Sequence, residues 1–175
     1  MSHFLTDKYS LIYINSTGKY FLGNKQLLHI YAYVLPRIGS FILSLTIHPL
    51  HQASFPSLLK SQFSNAFPNL KTLTLTSWTT ENLLSLMYDS IQELKNLQKL
   101  VIQELSCSLS LKDEVFMTIF FKIKNQSLTK VVFDYDCDSF QLTDCNIDNI
   151  LSHNILDLTI QLDTLTNLST LIGFI

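Results

Sequence analysis

The stretch F-P-N-L-K-T-L-T-L-T-S-W, residues 67–78, decides how this chain folds. Leu70, Leu73 and Leu75 are interleaved with Thr72, Thr74 and Thr76, the period-two pattern of a strand that buries one face. The same spacing stands earlier as Ile42, Leu45 and Ile47. It returns later as Leu97, Leu100 and Ile102, then Leu128, Val131 and Phe133, then Ile155, Leu158 and Ile160. The first members, at positions 42, 70, 97, 128 and 155, lie 28, 27, 31 and 27 residues apart. Repeats of that length predict stacked strand-plus-helix units.

The segments between the strands carry helical signals. Residues 56–67 place Leu58, Leu59, Phe63 and Phe67 on one stripe. Thr80 can cap a helix with Glu81 in its first turn, followed by Leu83, Leu84, Met87, Ile91 and Leu94. Ser110 with Asp113 does the same before Val115, Phe116, Ile119, Phe120 and Ile123. Residues 143–152, with Thr143 as cap, form a weaker fourth. Ahead of the repeats, L-I-Y-I and K-Y-F-L around Asn15-Ser16-Thr17-Gly18 predict a β-hairpin, and residues 25–36 a helix that Pro36 should end. At the other end, Leu168 and Leu171 keep the repeat spacing only 13 residues after Ile155, which predicts a short final strand or an early stop. The predicted fold is thus α/β: a solenoid of about five parallel strands with helices on its convex side, residues 40–175, behind a hairpin-and-helix cap, residues 1–39, all in one cooperative domain.

At 175 residues the chain can bury about 70% of its unfolded surface without disulfide or metal staples. Being 47% hydrophobic and 15% charged, it is too apolar for disorder. Its most apolar window, residues 27–50, contains His29, Pro36, Arg37 and His48, so no membrane span is expected. Residues 1–9 lack the apolar core of a signal peptide. Three cysteines, Cys107, Cys137 and Cys145, then read as reduced thiols of a cytoplasmic or nuclear protein. Sequons at Asn15, Asn125 and Asn167 are no more than chance supplies in so Ser- and Thr-rich a chain.

No Lys or Arg follows Lys130, whereas Asp134, Asp136, Asp138, Asp144, Asp148, Asp157 and Asp163 all do, which makes the last quarter acidic. That balance opposes nucleic-acid binding and would steer a basic protein partner, with a solvated surface as the plainer explanation. His48 and His51 lack further ligands nearby, and Asp134, Asp136 and Asp138 are followed by Ser139 and Cys145 where a calcium loop needs Gly and Glu. Cys137 and Cys145 sit in acidic surroundings that disfavour a thiolate. No nucleophile elbow or phosphate loop occurs, so no catalytic residue, metal or cofactor is expected. Trp78 is expected in the core or at its rim.

The outward residues of the strands are the candidate binding surface. Ser44, Thr72, Lys99, Lys130 and Asp157 form a first row; Thr46, Thr74, Val101, Val132 and Thr159 a second; His48, Thr76, Gln103, Asp134 and Gln161 a third.

The Tyr-rich opening, L-P-R-I-G, F-P-N-L-K-T-L-T-L and L-K-N-L-Q-K-L-V-I together resemble the leucine-rich-repeat region that follows an F-box in ubiquitin-ligase substrate receptors. The resemblance covers residues 40–175 and implies a non-enzymatic module whose concave face holds a protein substrate. No F-box-like opening precedes Tyr9, so adaptor docking is assigned to no residue here. The Asn or Cys that conventionally follows each strand in that family is replaced by Leu50, Trp78, Leu105, Asp136 and Asp163. The alternative is a structural fragment with no ligand of its own.

Overall fold

A computed structural model describes residues 11–14, 29, 33–47, 63–105, 114–116, 118–119, 125–134 and 154–160, with residues 11–14, 35 and 36 described by their backbone. Within these the chain is α/β, and its strands form one all-parallel sheet in sequence order. They are β1 (Leu11–Ile14), β2 (Ser44–Ile47), β3 (Thr72–Thr76), β4 (Lys99–Gln103), β5 (Lys130–Phe133) and β6 (Asp157–Thr159). Helical pieces lie between them: α1 (Leu35–Ile38), α2 (Phe63–Ala66) and α3 (Thr80–Asp89), with 3-10 turns at Gly39–Phe41 and Ile91–Glu93.

The triplet pattern buries what it predicts. Each inward residue from Ile42 to Phe133 is at most 2% exposed, while its neighbours on β2 to β5 are half-buried. Leu83, Leu86 and Met87 of α3, Ile91, Leu94, Phe63, Phe67, Val115, Phe116 and Ile119 belong to the same continuous core. Among the described residues, the helical segments therefore cover the inward face of the sheet and leave the opposite face bare of them. On β6 the inward set, Ile155, Leu158 and Ile160, is only half-buried.

One hydrogen-bonded step repeats between the strands. The Leu43 carbonyl accepts from the N–H groups of Lys71 (2.9 Å) and Thr72 (3.0 Å), and the Lys71 carbonyl from Gln98 (2.8 Å) and Lys99 (2.9 Å). The Gln98 carbonyl accepts from Thr129 (3.0 Å) and Lys130 (2.9 Å), and the Thr129 carbonyl from Leu156 (2.8 Å) and Asp157 (3.1 Å). Side chains reinforce the step. Before the three middle triplets the preceding residue reaches back one repeat: Asn69 Nδ2 donates to the Ser40 carbonyl (2.7 Å), Asn96 Nδ2 to the Pro68 carbonyl (2.8 Å), and Ser127 Oγ to the Lys95 carbonyl. These bonds satisfy turn carbonyls that a parallel crossover would otherwise leave to water.

Three expectations are corrected. β1 pairs in parallel with β2, Leu11 beside Ser44 and Ile14 beside Ile47, so among the described residues the sheet has six strands, the first from the segment assigned to the cap. The other predicted hairpin arm, residues 19–22, lies outside the described residues. Pro36 does not end the helix: the chain is helical on both sides of it, with a π turn at Tyr33 and Val34 running into α1 and on into the 3-10 turn Gly39–Phe41. The cap of α3 is Thr79, whose extended backbone offers its carbonyl to Leu83 N–H at 2.9 Å; Thr80 is already inside the helix and buried. The predicted helix over residues 143–152 and the strand near Leu168 lie outside the described residues.

Candidate functional site

Alternation along each strand sends every second side chain away from the helices, and the register sets those side chains in rows. Ser44, Thr72, Lys99, Lys130 and Asp157 are consecutive partners across β2 to β6. Thr46, Thr74, Val101, Val132 and Thr159 are likewise consecutive, and Thr76 stands beside Gln103. Adjacent strands are about 4.8 Å apart, so each row is a continuous line of touching side chains. β1 extends the first two rows by the register positions of Leu11 and Tyr13. His48 and Gln161, assigned to the third row, lie outside the described residues.

The first row is charged. Lys99 and Lys130 are direct neighbours, an arrangement that repels, and Lys130 is drawn to Asp157 on its other side by an ion pair. Both members of that pair are more than a third exposed, 39% and 50%, so screening holds its worth to about 1 kcal/mol at most. Among the described residues no carboxylate pairs with Lys99.

The second row is β-branched throughout, which suits side-by-side packing on a pleated surface. It runs between two polar rows, with threonines at Thr46, Thr74 and Thr159 and valines at Val101 and Val132. Val101 and Val132 sit at its centre, half-buried, with none of the described helices over them.

In the third row the side chains are tied together. Thr76 Oγ1 donates to Gln103 Oε1 at 3.0 Å, and Gln103 Nε2 donates to Asp134 Oδ2 at 2.8 Å. The amide spends its acceptor on one strand and its donor on the other, so its orientation is fixed in the unbound protein. A fixed polar row loses little rotamer freedom when a partner binds.

Just past the strands, Ser77 and Glu104 occupy equivalent positions with left-handed backbones, φ 56 and 53, and Ser77 Oγ donates to the Glu104 carboxylate. The Glu104 carboxylate is thus held toward the β3 side of β4. Sequence reasoning missed Glu104. The signal was available, since Ser77 and Glu104 each follow their triplet by the same number of residues. Within the described rows the charged side chains are Lys99, Lys130 and Asp157 at the strands' N-terminal ends and Asp134 at the C-terminal end of β5.

Trp78 is in the core at 3% exposure, its indole N–H donating to the Ile47 carbonyl one repeat back at 3.3 Å. It lies on the far side of the sheet from the rows. Asn125, the middle sequon, is 8% exposed: Nδ2 donates to the carbonyls of Ile91 (3.2 Å) and Leu94 (2.9 Å), and Oδ1 accepts from Ser127 N–H (3.0 Å). Its side chain is structural, and the folded chain withholds it from modification.

Among the described residues no three His, Cys, Asp or Glu side chains gather as metal ligands, and no helix is long and apolar enough to cross a membrane. His51, Asp136, Asp138 and the three cysteines lie outside the described residues. Comparison with protein-family models, curated proteins and solved structures gives no match to this chain.

Proposed function

We propose that the chain is a protein-binding module of leucine-rich-repeat type, a solenoid whose helix-free sheet face holds the partner. The observation that carries this reading is the in-register alignment of outward side chains over β2 to β6, with a third row already locked by hydrogen bonds. A surface of this kind presents charge, a β-branched midline and ordered hydrogen-bond groups to a partner. The likeness of the repeats to those behind an F-box supports ubiquitin-ligase substrate recognition as the setting, in the cytoplasm or nucleus, without metal, cofactor, nucleic acid or membrane.

Changing Lys99, Gln103, Lys130 and Asp134 together tests the face. Affinity capture from cell extract with the wild-type chain and with this quadruple variant, both verified as folded by circular dichroism, should show partners lost from the variant. Retention of every captured partner would rule the face out as the binding surface.

A further inference from the structure

We draw no further inference here: the strongest candidate, the outer face of the sheet, on which Lys99, Lys130 and Asp157 form one row and Thr76, Gln103 and Asp134 are tied into another, belongs to the site already described, and nothing in the structure shows what covers it.

Discussion

Leu73 and Thr74 are adjacent in the chain and opposite in environment, the first fully buried and the second half-buried on the outer face. Leu73→Ala should cost about 2 to 5 kcal/mol in chemical denaturation. Thr74→Ala should cost less than about 1, and equal costs at the two positions would contradict the inside-outside assignment. Thr80 offers the reverse sign. It is 1% exposed, and its hydroxyl has no hydrogen-bond partner. A buried unpaired hydroxyl costs about 1 to 3 kcal/mol, so Thr80→Val, which keeps the branch and removes the polar atom, should raise the denaturation midpoint by about 1 to 2 kcal/mol of stability. A loss of stability there would mean that the hydroxyl is satisfied in solution. Asn125→Ala should be among the worse polar substitutions, about 2 to 3 kcal/mol, because it strips the Ile91 and Leu94 carbonyls of a donor inside the core.

Strands were more legible in the sequence than their neighbours were. β2 to β6 follow from a period-two triplet, a local property that needs no knowledge of what packs against it, and the rows then follow from repeat length. β1 did not. L-I-Y-I has no polar interleaving and no upstream copy of the triplet, so nothing local to it points to the partner it has on β2, about thirty residues on. Thr79 and Thr80 are chemically alike, so sequence alone could not place the helix start to within one residue. The backward bonds of Asn69 and Asn96 had a visible signal in the repeated N-L dipeptide, but its meaning depends on which carbonyl the preceding repeat presents. The close approach at Gly39 had no local signal at all. A Cβ built there would stand 1.7 Å from the Ala66 carbonyl oxygen, so backbone of the Gly39–Phe41 turn and of α2 touch without room for a side chain. Gly39→Ala must push these pieces apart and should cost about 3 kcal/mol, measurable as a lowered Tm. An unchanged Tm would mean that the two turns are not packed together in solution.

Stability along the sheet should follow how completely each strand's inward side is covered. β3 and β4 lie mid-sheet, with neighbouring strands on both sides and triplets that are at most 1% exposed. β6 is half-buried on the same side, and Leu156, just ahead of it, is 84% exposed. In an array whose units touch mainly their sequence neighbours, stability is close to a sum of unit and nearest-neighbour contributions, so opening can start where burial is least and need not involve the centre. Native-state hydrogen exchange should therefore find the β3 and β4 amides opening only with the whole molecule. The amides of β6 should exchange about a hundredfold faster, a gap of about 2 to 3 kcal/mol. Leu158→Ala should accordingly cost less than Leu73→Ala and accelerate exchange in β6 and β5 while leaving β3 near its wild-type rate. Uniform protection from β2 to β6 would instead mean that the repeats are one indivisible unit, with coverage over β6 as complete as that over β3.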